Sequence, residues 1–366
     1  MDQKKVITEV IQKLEQPTPP FHALVGIDGY VDLIKRVVKS RDRSNLNYFE
    51  TISSFSERLA YAAGKSAQVE VVLQETKLGG NAPIMANALS QLRFDTTCVG
   101  TLGAPDIHPL FQNIPAKLLS LDRPADSTAL EFNDGKIIVS DLGVFEALDW
   151  ARVKTIIPVE EFIANFKKQD LIALVGLTNL HHANDLVTGL LEEVIPVAAN
   201  GKQHFFFDLA DPSRKTEKEL RHLLELISAI SAHGKVTLGL NENEALQLNR
   251  LLKGPAPGSV SLEVIGKHIF KKLDITQLLI HPMDRSLLVT EAGAIQQKGK
   301  VVKKPKIQTG AGDNLNAGFC FGEALELSPE ARLVLGMANS GAYITLGHSP
   351  GEAELVEYLQ RWMEGL

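Results

Sequence analysis

Residues 306–325 read KIQTGAGDNLNAGFCFGEAL, and this stretch decides how the rest of the chain is interpreted. The small residues Gly310, Ala311 and Gly312 allow a ligand to approach the backbone closely. The helix predicted after them would leave amide groups unpaired at its start. Such unpaired amides form a binding site for phosphates. Asp313 would repel a phosphate unless it has another task, such as accepting the proton of an attacking hydroxyl group. The alternative is that Asp313 only caps the helix.

Length and composition exclude several classes of protein. The 366 residues suffice for two domains, or for one large α/β domain with an appendage. A formal net charge of −6 disfavours a protein that grips nucleic acid. Two cysteines are too few for a disulfide framework or a Cys-rich zinc site. The apolar runs are shorter than a bilayer span, and the first residues lack the apolar core of a signal peptide. We therefore expect a cytoplasmic protein with no nucleic-acid or membrane partner.

Apolar runs alternate with helical patterns along most of the chain. The segment FHALVGIDGYVDLI (21–34) predicts a first core strand followed by a polar loop. Further strands are predicted at 96–101, 171–177, 203–208, 236–240 and 278–281. Helices are predicted at 6–14, 82–92, 186–199, 217–231, 242–251, 311–325 and 329–343. This alternation predicts an α/β fold, with a central, mostly parallel sheet and helices on both faces. Ligands of such sheets bind at the carboxyl ends of the strands.

Two segments interrupt the alternation. Residues 68–77 (QVEVVLQETK) alternate like a half-buried strand, and 127–141 contain Asn133-Asp134-Gly135 between two β-rich arms, a strong hairpin signal. We interpret both as a small β-sheet that is separate from the main sheet and serves as a lid. The alternative is that they are edge strands of the main sheet.

The stretch from Gly310 to Asp313, with its Asn-, Ala- and Gly-rich helix, resembles the carboxyl-terminal signature of the ribokinase-like (PfkB) carbohydrate kinase family. Other segments resemble the family in the same order over nearly the whole chain: LVGIDGYVDLI (24–34), KLGGNAPIMANAL (77–89), FDLADPSR (207–214), LNENEA (240–245) and ANSGAYITL (338–346). The resemblance implies a ribokinase-like fold with an N-terminal helical extension at 1–22. The kinase domain would cover 23–366, with lid strands near 68–78 and 127–141.

The resemblance also implies roles for individual residues. Asp313 would be the catalytic base, and the amides of Gly310, Ala311 and Gly312 would bind the phosphate being transferred. The implied acceptor-binding residues are Asp28, Asp32, Gly79, Gly80 and Asn81. The implied nucleotide-binding residues are Asn241, Glu244, Thr309 and Asn339, with Glu244 also holding Mg²⁺ through water.

The implied activity is transfer of the γ-phosphate of ATP, with Mg²⁺, to a hydroxyl group of a sugar or sugar derivative. Three alternatives remain open: a nucleoside kinase, an ADP-dependent sugar kinase of the same fold, and a non-catalytic relative that only binds ligands. A Rossmann dehydrogenase is disfavoured because no GxGxxG follows the first strand. A homodimer formed through the lid is a further hypothesis.

Several positions depart from the family pattern. Ile307 stands where the family usually has an aspartate near a monovalent-cation site, so activation by potassium is disfavoured. Pro83 and Ile84 stand where an asparagine is usual. HPMDRS (281–286) replaces a Thr-x-Gly turn, and the segment 33–78 is unusually long, with a helical pattern at 48–62. The acceptor pocket and the nucleotide rim are therefore predicted to differ from the family pattern.

Overall fold

The computed structural model describes residues 2–43 and 45–366. Its strands are β1 (Phe21–Ile27), β2 (Tyr30–Arg41), β3 (Leu46–Tyr48), β4 (Val71–Gly79), β5 (Phe94–Gly100), β6 (Lys117–Ser120), β7 (Ala125–Phe132), β8 (Gly135–Asp141), β9 (Leu171–Val175), β10 (His204–Asp208), β11 (Lys235–Asn241), β12 (Gln277–His281), β13 (Arg285–Thr290) and β14 (Gly293–Lys298). Its helices are α1 (Gln3–Leu14), α2 (Ile52–Tyr61), α3 (Asn81–Ser90), α4 (Trp150–Ile156), α5 (Val159–Phe166), α6 (Ala183–Gly189), α7 (Ile195–Ala198), α8 (Glu217–Ile230), α9 (Glu242–Leu251), α10 (Leu262–Lys272), α11 (Ala311–Ala324), α12 (Pro329–Leu346) and α13 (Glu352–Glu364).

The main sheet has nine strands in the order β14-β13-β12-β11-β10-β9-β1-β5-β6. The strands from β12 to β6 pair in parallel, and only β13 and β14 run antiparallel to their neighbours. The predicted mostly parallel sheet is confirmed. The β13–β14 hairpin at its edge was not predicted from the sequence.

Helices cover both faces of this sheet, as predicted. The strands are apolar on both sides, so successive residues enter different cores. Phe205 and Phe207 of β10 pack into the core formed with α4 to α10, whereas Phe206 packs into the core formed with α1, α3 and α11 to α13. Helix α1 buries four apolar side chains in the latter core and contacts α12 and α13.

The small sheet is separate from the main sheet, as predicted. Its strand order is β3-β2-β7-β8, and β4 pairs with β2. Val37, Phe49, Phe55 and Phe132 form its own apolar core together with α2. Strand β2 corrects the sequence interpretation, which placed Asp32 in a polar loop. Asp32 lies within β2, because the chain turns at Asp28 and directly begins a new strand.

The helix predicted at 186–199 is present, but it is not a regular α-helix throughout. The structure has α6, a π-helical turn over Leu190–Val194, and then α7. Pro196 lies near the start of α7, where its missing N–H group costs least, and it cannot continue a helix that precedes it. Among the described residues, none of the helices has the length and apolar character needed to cross a membrane.

Candidate active site

Four polar residues converge where the carboxyl ends of the parallel strands meet the start of α11. Asp28 directly follows β1, Asp208 ends β10, and Asn241 ends β11. Asp313 is the third residue of α11. Parallel strands place their carboxyl ends along one edge, so residues far apart in sequence become neighbours there. This edge is the candidate active site.

Asp313 is a buried carboxylate held by a side chain from α3. It is 7% exposed, and its Oδ1 accepts a hydrogen bond from Nδ2 of Asn81 at 2.8 Å. The N-cap of α11 is Gly310, at φ 87°, and no side chain caps the helix. The alternative that Asp313 serves only as the cap is therefore wrong. Its carboxylate is free of that task and lines a cavity beside the small sheet.

The backbone turn before Asp313 offers unpaired amides. Within the described residues, the amides of Gly310 and Gly312 donate to no other group, whereas the amide of Ala311 lies 3.3 Å from the carbonyl of Gln308. A positive φ is strained for residues with a Cβ, which explains glycine at position 310. The turn therefore has the donors that an anion requires, at the positive end of a 14-residue helix.

Asp208 is a functional candidate that the sequence analysis missed. Its Oδ1 accepts from the amide of Ala210 and its Oδ2 from Nδ2 of Asn316, both at 2.9 Å. Burial raises the pKa of Asp313 well above its usual value, and the negative charge of Asp208 raises it further. The sequence feature that could have identified Asp208 is its position at the carboxyl end of a predicted strand.

Asn241 and Glu244 bind each other as a capping box at the start of α9. The side chain of Asn241 accepts from the amide of Glu244, and Oε2 of Glu244 accepts from the amide of Asn241, both at 2.9 Å. Burial raises the pKa of Glu244, and repulsion by Asp208 adds to the shift. The capping box is therefore a structural feature that also fixes a carboxylate in a negatively charged region.

This accumulation of carboxylates fits a divalent cation. The negative charge of Asp208 raises the pKa values of both Glu244 and Asp313, and the charge of Asp313 also raises that of Glu244. A bound cation would relieve this repulsion. No group of three or more His, Cys, Asp or Glu side chains is arranged to ligate a metal directly in residues 2–43 and 45–366. Mg²⁺ commonly keeps most of its water shell, so these residues fit water-mediated binding of that ion.

A cavity of about 240 Å³ lies between the small sheet and the start of α11. It brings together Asp32, Gly80 and Asn81 with Thr309, Gly310 and Asp313, all of which the sequence analysis singled out. Its remaining polar lining was not predicted from the sequence and comprises Tyr30, Ser127, Ser140, Asn179 and Arg214. These residues come from the lid strands and from loops after β9 and β10, so only the fold brings them together.

Asp32 faces this cavity because Gly79 leaves room for it. A Cβ at Gly79 would overlap the carboxylate of Asp32 on the neighbouring strand. Burial raises the pKa of Asp32, while the hydrogen bond with Ser127 and the charges of Lys136 and Lys77 oppose that shift. Gly79 therefore contributes to the pocket by its missing side chain.

Asp28 fixes the start of α3. It is fully buried, and its oxygens accept from the amides of Ala82 at 2.8 Å and Asn81 at 3.2 Å. Burial raises its pKa to about 6. This position supports Asn81, and hence Asp313. Binding of the acceptor by Asp28 itself stays a prediction.

Asn339 lies inside the interface between α11 and α12. It is fully buried, and its Nδ2 donates to the carbonyl of Asn314 at 2.6 Å. A second cavity of about 390 Å³ lies at the ends of β11 and β12, where Asn241, His281 and Met283 line it. The role of Asn339 in nucleotide binding stays a prediction, and the contact in the structure holds the two helices together.

Comparison with known proteins places this geometry in a family. A ketohexokinase of Haloferax volcanii is 25% identical over 350 residues, which cover 93% of this chain and 91% of that protein. The ribokinase of Arabidopsis thaliana, solved with ribose and ATP, superposes with a TM-score of 0.63 at 17% identity, over 94% of this chain and 99% of its own. An E. coli protein named ribokinase II, solved with ATP and Mg²⁺, superposes with a TM-score of 0.64 at 11% identity. This match covers 94% of this chain and 100% of that protein.

These structural likenesses confirm the predicted ribokinase-like fold. The family model described as prokaryotic ketohexokinase matches residues 2–362, nearly the whole chain. The expectation of a carbohydrate kinase is confirmed by the same match. The chain belongs to the prokaryotic ketohexokinase family.

Proposed function

We propose that this protein transfers the γ-phosphate of ATP, in the presence of Mg²⁺, to a hydroxyl group of a ketohexose, with Asp313 as the base. The observation that carries the proposal is the position of Asp313. Its buried carboxylate lies three residues after the unpaired amide of Gly310 and lines the cavity of about 240 Å³. This cavity would hold the acceptor and is named the acceptor cavity. A base and an anion-binding turn are thus adjacent, as phosphoryl transfer to a hydroxyl group requires.

The reaction balances with the residues at hand. The acceptor oxygen forms a bond to the γ-phosphorus, its proton passes to Asp313, and the bridging oxygen leaves with ADP. The amides of Gly310 and Gly312 would stabilise the charge on the phosphoryl oxygens. A raised pKa suits Asp313 to this task, because a base is most effective when its pKa lies near the working pH.

The polar lining of the acceptor cavity supports a sugar as the substrate. Carboxylates such as Asp32 accept hydrogen bonds from vicinal hydroxyl groups, and Ser127 and Ser140 both donate and accept. A nucleoside would need an apolar or aromatic wall for its base. Tyr30, Ile84 and Ile138 are the apolar or aromatic side chains that line this cavity, and polar residues make up most of the remaining lining. The ketohexokinase of Haloferax volcanii supports a ketohexose within this class.

Mg²⁺ would be held through water by Glu244, Asn241 and Asp208, and when bound it supplies positive charge to the phosphates. The structures that hold ATP in related folds support ATP as the donor. A monovalent cation is not part of the proposal, because Ile307 offers no oxygen ligand in its side chain.

The proposal includes a homodimer formed through the lid and a cytoplasmic location. The lid exposes the apolar side chains Val71 and Leu73 of β4 and Val139 of β8, which a second copy would cover as a homodimer. Both cysteines are free thiols, as is usual in the reducing cytoplasm.

We also propose the division into an extension (1–22) and a kinase domain (23–366), with the small sheet closing over the acceptor.

The test is nucleotide consumption across ketoses, aldoses, sugar acids, sugar phosphates and nucleosides, with ATP or ADP and Mg²⁺. We expect turnover with ATP and a ketohexose, and a loss of roughly 10²- to 10⁴-fold in D313N. Circular dichroism of D313N checks that the variant is folded. Turnover with only a nucleoside, or only with ADP, would replace the acceptor or the donor in this proposal. Tight sugar binding without turnover would identify a non-catalytic relative.

A further inference from the structure

The turn of the lid hairpin lies against the anion-binding turn. Lys136 is the second residue of β8, and its Nζ donates a hydrogen bond to Oγ1 of Thr309. Thr309 directly precedes Gly310, whose amide is unpaired. The hydroxyl group of Tyr343, on α12, donates to the carbonyl of Thr309 at 2.8 Å. This bond ties Thr309 to α12. The ammonium group of Lys136 is therefore held one residue from the proposed phosphate site.

Lys136 lacks a counter-ion of its own. Burial lowers its pKa, while the more distant charges of Asp32 and Glu131 oppose that shift. No carboxylate within the described part of the chain forms an ion pair with its Nζ, in contrast to Lys77 of the same lid, which pairs with Glu75 at 2.9 Å. Lys136 is an exposed residue, so its ammonium group is open to a ligand at the edge of the cavity. This points to an anionic ligand that completes the contact.

The location of Lys136 identifies which anion that is. Lys136 lines a cavity of about 510 Å³ together with Asp32, Ile84 and Thr309. The same three residues also line the acceptor cavity, so the two cavities share a wall. In the proposed reaction, the anion that arrives at this wall is the phosphoryl group between the amide of Gly310 and the acceptor hydroxyl.

We propose that Lys136, carried by the lid, binds the phosphoryl group during its transfer and stabilises the charge of the transition state. This inference rests on the proposed function and adds a catalytic residue to it. Lys136 keeps all its protons during the step, since the proton of the acceptor passes to Asp313 and the bridging oxygen leaves with the nucleotide. Its contribution is electrostatic, which is the dominant form of catalysis in phosphoryl transfer.

The proposal makes the chemistry depend on the lid. With the lid displaced, the charge of Lys136 is absent from the site, and transfer to water is slow. When an acceptor brings the lid down, the charge arrives together with the hydroxyl group that should receive the phosphate. Closure would thus assemble the site only when the correct acceptor is present.

The test compares K136M with K136R and a matched control, K35M. Lys35 belongs to the same small sheet, and its Nζ also contacts a threonine hydroxyl, Oγ1 of Thr128 at 3.4 Å, but it lines neither cavity. We expect K136M to lose roughly 10²- to 10³-fold in kcat, with both KM values within about threefold of wild type. K136R should recover at least about tenfold of that loss, because it restores the charge. K35M should retain wild-type kcat.

A binding measurement separates catalysis from lid closure. Calorimetry with ADP, Mg²⁺, aluminium fluoride and the ketohexose mimics the transition state. K136M should weaken binding of this mixture by about the factor lost in kcat, and leave binding of the ketohexose alone unchanged. A raised KM for the ketohexose with unchanged kcat would overturn the proposal and leave Lys136 as a latch for the lid. A wild-type protein without turnover would instead contradict the proposed function, before any variant is compared.

Discussion

Asn81 and Asp313 are joined by a hydrogen bond of 2.8 Å from Nδ2 to Oδ1, across 232 positions of sequence. Asn81 is the first residue of α3 and Asp313 the third residue of α11, so the bond links the starts of two helices. The amide of Asn81 in turn donates to Asp28. The start of α3 and the proposed base are therefore linked directly, and a change at Asn81 should affect Asp313.

Substitution of Asn81 should alter the ionisation of the base. The hydrogen bond from Asn81 lowers the pKa of Asp313, against the larger effect of burial. In N81A, the acid limb of the pH profile of kcat/KM should move to higher pH, since the carboxylate loses stabilisation. We also expect kcat to fall about tenfold, because the carboxylate is held less firmly. Asn87 offers a control on the same helix, since its Nδ2 contacts Ser349 at 3.3 Å. A profile of N81A that overlays that of N87A would contradict the coupling.

Glu244 should control the requirement for Mg²⁺. E244Q keeps an oxygen that can accept from the amide of Asn241, so α9 should remain capped while the charge is removed. We expect the Mg²⁺ concentration for half-maximal activity to rise about tenfold, with little change in KM for the sugar. The matched control is E219Q, because Thr216 and Glu219 form the same capping box at the exposed start of α8. An equal effect of both substitutions would mean that Glu244 acts only as a cap.

Gly79 should be needed for acceptor binding. In G79A the new methyl group overlaps the carboxylate of Asp32, which must move out of its place in the cavity. We expect a several-fold higher KM for the sugar and a loss of about 1–3 kcal/mol in the free energy of unfolding. D32A should raise the same KM without the overlap. Gly351 is a suitable control, since a Cβ there meets no atom within 4 Å. An unchanged KM in both G79A and D32A would place the acceptor elsewhere.

Asp28 should make the unliganded protein less stable as the pH rises. Its folded-state pKa of about 6 lies above the usual 3.8, so the folded state binds the proton more tightly than the unfolded state. The contribution of Asp28 is therefore fully present below pH 3.8 and is lost as the pH rises through about 6. The change over this range is at most about 3 kcal/mol.

D28N removes that titration and adds a constant cost for the altered hydrogen bonds to the amides of Asn81 and Ala82. The free energy of unfolding of D28N should therefore improve relative to wild type between about pH 4 and pH 7. Urea unfolding at both pH values measures the difference, with a substitution at the exposed Asp106 as control. A difference that does not vary with pH would refute the raised pKa of Asp28.

Local patterns in the sequence determined six of the nine strands of the main sheet and the residues of the anion-binding turn. The strands were apolar runs with polar ends, and the helices had clear periodicity, so short-range physical chemistry sufficed. The stretch from Gly310 to Asp313 was readable because an unpaired helix start and small residues predict an anion site without reference to distant parts of the chain. The hairpin at Asn133-Asp134-Gly135 was equally local.

The tertiary structure alone decided what surrounds Asp313. Asn179 and Arg214 reach the site from the segments after β9 and β10, and no local pattern assigns either of them to it. Asp208 ends a predicted strand, but only the fold places its charge beside Asp313. The strand β2 that carries Asp32 depended on packing that periodicity does not encode. Lys136 reads as an exposed hairpin residue in the sequence. Only the folding of the small sheet over α11 brings its charge to Thr309, because contacts between distant segments are set by how whole layers pack.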